Sequence, residues 1–299
     1  MAPADATPGA EARLHRPARL RSIWLPDMVR VSYLPHGDSR LTPAFLPSAP
    51  SDFWRSHPEY LEVDGYLVTS VGGLLVERGD RALLIDAGYG PHSGSAPPIV
   101  TLWRGGQLPA SLRQVGRDPD RLDAVAFTHM HDDHIGWASP RSSVDGHVLF
   151  GGAEWLLSGP EWAASRTDED GNERLAEAAN RLRTISDGEE VFPGVTAVLA
   201  PGHTRGHAAY VIDAGGVRLV VLGDALHSPA QVGHPEWRVI FDSDAERAEA
   251  SRRRLLDLAG RATVAYAGHL ADVVFGRPEP DSDGLRWRPL PADVDRLEP

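Results

Sequence analysis

The chain has 299 residues, 41 % of them hydrophobic, enough to bury about three-quarters of its unfolded surface in one large or two small domains. Its 42 acidic residues outnumber 30 basic ones for a net charge of −12, and no long Lys/Arg run is present, which argues against nucleic acid or anionic lipid as partners. Cysteine is absent, so disulfides and thiolate metal sites are excluded and any metal must be held by His and carboxylate.

Residues 1–20 are rich in Ala, Pro and Arg and contain no apolar segment of signal-peptide length. They read as a disordered tail on a cytoplasmic protein, since no stretch of the chain approaches a membrane span. Residues 21–64 hold many prolines and aromatics but little periodicity, as an ordered arm or lid would. From residue 65 the text changes to short β-type runs, "YLVTSVGGLLVE", "RALLIDAG" and "LDAVAFTH", each bounded by Gly, Asp or His. "HVLFGG" reads as a further strand and "NERLAEAANRLRTI" as an amphipathic helix. "VTAVLAPGH" is a strand ending in histidine, and "HAAYVIDAGGVRLVVLGD" is a hairpin turning at Gly215-Gly216 whose second strand ends at Asp224. Ser243 and Glu246 form a capping box for a helix to Leu258, closed by Gly260, before the strand "ATVAYAGH". No repeat or low-complexity linker divides residues 21–299, which read as a single domain including the arm.

Between these elements stands "THMHDDHIG", three histidines and two aspartates within His129–His134. Imidazole and carboxylate are ligands that a borderline cation such as Zn²⁺ accepts. His129 and His131, two apart, can reach the same side of an extended segment, whereas Asp133 and His134 face another direction. One loop therefore offers two ligands to each of two ions, and His203, Asp224 and His269, at other strand ends, would complete both shells. Two ions sharing a water can lower its pKa enough to leave a bridging hydroxide as nucleophile, with Asp133 holding or shuttling the proton. His207 reads as a hydrogen-bonded structural residue. His15, His36, His57, His92, His147 and His234 read as solvent-facing or loop histidines.

The ordered series of motifs resembles the metallo-β-lactamase-fold hydrolase superfamily over roughly residues 65 to 290. That resemblance implies an α+β fold, an αβ/βα sandwich of two mixed β-sheets flanked by helices. It implies a first metal on His129, His131 and His203, a second on Asp133, His134 and His269, and Asp224 bridging them. Two divalent ions are implied, Zn²⁺ first, with Mn, Fe or Co as alternatives. Asp86 in "LLIDAG" matches a family position whose carboxylate supports the ligand loop from behind.

Met130 stands where the family's diiron members place a ligand glutamate, and Asp224 where its true β-lactamases carry Cys or another non-bridging residue. "GDALHSPAQV", "FDSDAERAEASRRRLL" and "AGHLADVVFGR" resemble the branch holding methyl parathion hydrolase and the quorum-quenching lactonases. His227 stands where the small lactonases have a tyrosine that contacts substrate oxygen, and is read here as a catalytic polar contact. Trp137, with Trp24, Trp54, Trp103 and Phe241, would supply an aromatic wall beside the metals, and Trp155 and Trp162 would fill the core. The resulting expectation is a dinuclear hydrolase of a small neutral hydrophobic lactone, ester or phosphotriester. The alternatives are a thioesterase-like or β-lactam hydrolase and a non-catalytic binding protein. A small molecule is the expected partner, and the resemblance allows a homodimer formed through the arm.

Overall fold

A computed structural model describes residues 10–138, 149–166, 181–282 and 284–299. Nine strands among these residues form one sheet: β1 (Arg21–Leu25), β2 (Val29–Leu41), β3 (Leu67–Arg78), β4 (Arg81–Ile85), β5 (Ser93–Ala96), β6 (Val100–Arg104), β7 (Ala124–Ala126), β8 (Glu154–Ser158) and β9 (Leu182–Ile185). Their spatial order is β5-β6-β2-β3-β4-β7-β8-β9, with β1 alongside β2. A second sheet runs in sequence order through β10 (Glu190–Phe192), β11 (Val195–Leu199), β12 (Ala208–Ala214), β13 (Val217–Val221), β14 (Val264–Tyr266), β15 (Phe275–Asp281) and β16 (Gly284–Pro289). Both sheets are mixed: β4, β7, β8 and β9 are parallel neighbours in one, β13 and β14 in the other.

The period-two alternation of strand side chains explains the layering. In β4, Leu83 and Ile85 point to the core shared with Val195, Tyr210, Leu219 and Val221 of the opposite sheet. Leu84 points the other way, to a cluster with Leu108 and Leu112 of helix α3. The helices are α1 (Ala10–Leu14), α2 (Ser51–Ser56), α3 (Leu108–Gln114), α4 (Asp132–Ile135), α5 (Gly159–Ser165) and α6 (Ala245–Gly260). Leu255, Leu256 and Ala259 of α6 cover the outer face of the second sheet. The result is the expected αβ/βα sandwich. Among the described residues no helix is long and apolar enough to cross a membrane.

Several local expectations are corrected. Residues 10–20, read as disordered, include α1 and are tied down: Ala18 is buried, and Arg13 and Arg16 bond Asp272. The arm contributes β1 and the 13-residue β2, which lies inside the sheet between β6 and β3. Leu149–Gly152 of "HVLFGG" is a turn, and the strand follows at Glu154. Most of "NERLAEAANRLRTI" lies outside the described residues, but its end, Leu182–Ile185, is strand β9. The cap of α6 is Asp244, which accepts the Arg247 N–H, while the Ser243 hydroxyl donates to Gly202 O. The β12–β13 hairpin turns at Gly215 and Gly216, with φ of 49° and 90°, as a two-residue turn requires.

Candidate metal centre

Parallel pairing puts the C-terminal ends of neighbouring strands side by side, and this assembles the site. Ile85 of β4 is paired with Ala126 of β7, so Asp86 meets Thr128 and the histidine loop beyond it. Val221 of β13 is paired with Tyr266 of β14, so the chain leads from there to Asp224 and His269 on one edge.

The inward nitrogens form two groups around one carboxylate. His129 Nε2 is 2.9 Å and His203 Nε2 is 3.1 Å from His131 Nδ1. Asp224 Oδ2 faces this group, 3.6 Å from His129 Nε2 and 3.3 Å from His203 Nε2. Its other oxygen, Oδ1, lies 3.2 Å from His134 Nε2 and 3.1 Å from His269 Nε2. Asp133 Oδ2 closes that second group at 3.6 Å from His134 Nε2 and 3.5 Å from His269 Nε2. His227 also reaches in, its Nε2 3.1 Å from Asp224 Oδ2.

On His129, His134, His203 and His269 the other ring nitrogen is taken by an outer partner. His134 Nδ1–H donates to Asp86 Oδ2 at 2.9 Å, and Thr128 donates its N–H and hydroxyl to the same carboxylate. His203 Nδ1–H donates to Asp242 Oδ1 at 3.0 Å and His269 Nδ1–H to Ser70 O at 2.9 Å. His129 Nδ1 lies 3.0 Å from Thr128 Oγ1 and donates there, since that hydroxyl's proton goes to Asp86. In the neutral rings of these four histidines the bonds fix the tautomer, leaving Nε2 lone pairs aimed inward. Lone pairs converging at about hydrogen-bond distance repel one another unless a cation lies among them. His134 Nε2 is buried without a hydrogen-bond partner, and the donor set is one that Zn²⁺ accepts. The residues therefore fit metal ions.

In the protein alone the electrostatics divide the centre: burial opposes charge on His134 and His269, yet the neighbouring carboxylates, Asp224 first, raise both, a positive charge that a metal ion would replace. Burial drives the proton off His129 and pushes His131 down to about 4. Burial opposes charge on His203 too, but its bonds to Asp224 and Asp242 prevail and raise it to about 9. Asp224, although burial resists its ionisation, is held well below the usual carboxylate range by His134, His269 and His129. The centre is thus built to keep its carboxylate charged and most of its first group of imidazoles neutral, the forms that bind metal.

His207 lies behind the site: its Nε2 accepts the Asp224 N–H at 3.0 Å. Gly223 makes this possible, having φ of 54° and no Cβ, which would collide with the His207 ring. A cavity of about 440 Å³ opens onto the centre and is bounded by Phe45, Tyr89, Trp103, Phe241, Leu41 and Val100, together with Asp133, His227 and His92. Trp137 is not part of that wall. It is buried against His36, in the core cluster with Leu34 and Phe127, because its backbone turns the indole away from the loop's ligands. Trp54 is buried in the arm cluster, Trp24 stacks under Arg30, and Trp155 is in the core with Trp162 packed against it.

His36 is likewise corrected: it is wholly buried, accepts the Tyr89 N–H on Nε2, and is pushed down to about 4 by burial. His57 stacks on Phe53, His234 on Trp237, His15 bonds Glu59 O, and His147 lies outside the described residues. Sequence reading missed three buried supports. Asp242 orients His203; Ser70 orients His269; Glu161 accepts the Met130 and Gly206 N–H groups, joining two ligand loops. Asp242 lies in the quoted string "FDSDAERAEASRRRLL", but only spatial proximity shows what each of the three supports.

The family model described as "Metallo-beta-lactamase superfamily" matches residues 73–269. A probable metallo-hydrolase of Mycobacterium bovis is 28 % identical over 225 residues, 68 % of this chain and 72 % of that protein. A hydroxyacylglutathione hydrolase of Pseudomonas entomophila is 30 % identical over 59 % of this chain and 61 % of its own length. Among solved structures, AidC, a dizinc quorum-quenching lactonase in complex with a product, superposes with a TM-score of 0.77. That likeness covers 93 % of this chain and 99 % of the other at 22 % identity.

Proposed function

The chain belongs to the metallo-beta-lactamase superfamily and is a metallo-hydrolase, and from that premise we propose that it holds two divalent ions and hydrolyses a small neutral hydrophobic lactone or ester, with phosphotriesters as slower substrates. The observation that carries the dinuclear reading is Asp224, whose two oxygens face two separate nitrogen groups. Zn²⁺ is the first choice of ion. His129, His131 and His203 would hold one ion and Asp133, His134 and His269 the other, with Asp224 shared. Ions bound there would supply Lewis acidity and a water acid enough to attack at neutral pH.

The chain's own groups do the rest. Asp133 borders both the cavity and the second group, where its carboxylate can take up or hold a proton. His227 is on the cavity wall, and its Nδ1 has no partner, unlike the outward nitrogens of His134, His203 and His269. That lack of an outer anchor supports a role toward substrate oxygen rather than as a fixed ligand. Phe45, Trp103, Val100 and Phe241 exclude water and accept an apolar chain.

The thioester reading, to which the hydroxyacylglutathione hydrolase relative points, meets a specific difficulty. Glutathione thioesters are anionic, and the described residues bounding the cavity include Asp132, Asp133 and Asp224 but no arginine. The AidC likeness is consistent with the lactone reading. Elemental analysis of metal-replete protein should return close to two ions per chain, and one ion would refute the dinuclear reading. Asp224→Ala should cost more activity than His207→Ala, because only Asp224 would touch both ions. Equal losses in folded variants would count against the assignment.

A further inference from the structure

His269 is carried by a strained turn. Ala271, two positions on, has φ of +33°, a conformation that a residue with a Cβ keeps only where its surroundings impose it. Its N–H donates to His269 O at 3.0 Å across the turn. The imposing groups come from elsewhere. Ser70 of β3 takes the His269 Nδ1–H on its carbonyl, and its hydroxyl donates to Ala271 O at 2.7 Å while accepting the Ala18 N–H at 2.7 Å. The next residue, Asp272, is held by the same N-terminal segment. Its carboxylate accepts from Arg16 Nε at 2.8 Å and from the Arg19 N–H at 3.4 Å, and its carbonyl accepts from Arg13 Nε at 2.8 Å. Asp272 is only 14 % exposed, so the carboxylate end of this pairing is largely sheltered, while the Arg16 end reaches solvent.

We propose that residues 10–20 form a latch, closed on Asp272 and Ser70, that fixes the His269 turn and so sets how tightly the second metal position retains its ion. The inference rests on the dinuclear reading. The latch residues touch no metal ligand by their side chains; they position His269 through Asp272, Ala271 and Ser70.

The test uses the full chain loaded with Zn²⁺, as wild type, Arg16→Ala, Asp272→Asn, the double variant and Arg16→Lys. Arg16 is 43 % exposed, so its truncation leaves the core intact. Hydrogen exchange reads the His269–Val273 turn, and transfer to an excess of chromogenic chelator reads the two ions. Opening the latch should raise exchange in that turn but not in His129–Ile135. It should speed release of one ion about tenfold and leave the other at the wild-type rate, the scale on which outer supports of a metal ligand act. The double variant should be no worse than Asp272→Asn alone, since that carboxylate, which also lies 3.7 Å from Arg13 Nε, takes the Arg16 contact with it, and Arg16→Lys should restore both readouts. Unchanged exchange in the turn, or equal acceleration of both ions, would overturn the latch. A wild-type protein with a single ion would refute the dinuclear reading alone, and the exchange result would then decide the latch by itself.

Discussion

His36 and His227 are both buried imidazoles pushed down to about 4 by burial, yet their surroundings assign them opposite work. His36 packs between Gly88, Gly105 and Trp137 and anchors the Tyr89 amide. Unfolded, it takes its proton at about 6.5; folded, at about 4. Above 6.5 both states are neutral and it adds no pH dependence. As pH falls through that window the unfolded chain gains the proton first, so stability drops, by about 3 kcal/mol in all, and the loss levels off below the folded value. Urea titrations of wild type and His36→Gln between pH 7 and 4 should therefore converge as pH falls, and parallel curves would sink the idea. His227 instead faces the cavity, so His227→Phe should lower ester or lactone turnover about 10²-fold without changing metal content; unchanged kinetics would make it structural. At this scale the candidate ligands that the fold brings together were legible because their chemistry is written in short strings, above all His129–His134. Asp242, Ser70 and Glu161 were not, because each acts through a partner brought near only by folding. Trp137 misled for the converse reason: adjacency to a ligand loop does not say which way a side chain leaves the backbone.

Elements were legible where local pattern and tertiary demand coincide. The β12–β13 hairpin has alternating apolar residues around Gly215-Gly216, so turn chemistry and burial agree. Strand β2 hides itself, because Pro35 and Gly37 interrupt its alternation. The sheet absorbs them with a shift of register between these residues, and Gly37 lies where any Cβ would meet the Arg104 carbonyl. The α6 cap was displaced by one residue, since Ser243 is drawn to Gly202 and leaves Asp244 to accept the Arg247 N–H. Helix α6 also carries a function its amphipathic pattern conceals. Arg252, fully buried, donates to Ala225 O and Pro235 O, both at 2.6 Å, and to Trp237 O at 3.0 Å, and its Nη2 is 3.5 Å from Asp242 Oδ2. One side chain thus ties the loop after Asp224 to the carboxylate that orients His203. Arg252→Met would leave Asp242 with only His203 and the Val239 N–H and would strip three buried carbonyls of their donor, so unfolding free energy should fall by about 3 kcal/mol. Lysine, lacking the planar fork, should recover only part of it. A urea midpoint within error of wild type for Arg252→Met would remove this role.

At the scale of the molecule, charge is the remaining selector. The chain's net charge is −12 and its 30 basic residues are all arginine, yet among the described residues no arginine borders the cavity, where Asp132, Asp133 and Asp224 do. Two divalent ions would draw an anion inward, but the carboxylates around them already offset much of that field, and the surface beyond repels it. A metal-activated water would be indifferent to whether its target is carbon or phosphorus, so on the proposed reading discrimination falls to these walls. A neutral aryl ester or lactone should therefore exceed its carboxylate-bearing analogue in kcat/KM by at least about tenfold, the scale of one modest binding difference. Added salt should narrow that gap by raising the rate on the anion, because the opposing surface charges are screened beyond about 8–10 Å at physiological ionic strength. Phosphotriesters should follow the neutral esters, and anionic phosphodiesters and glutathione thioesters should trail both. A panel in which phosphodiesters or glutathione thioesters outrank every neutral ester and lactone would reject the neutral-substrate reading while leaving the metal centre as described, since the ligands do not depend on what the walls admit.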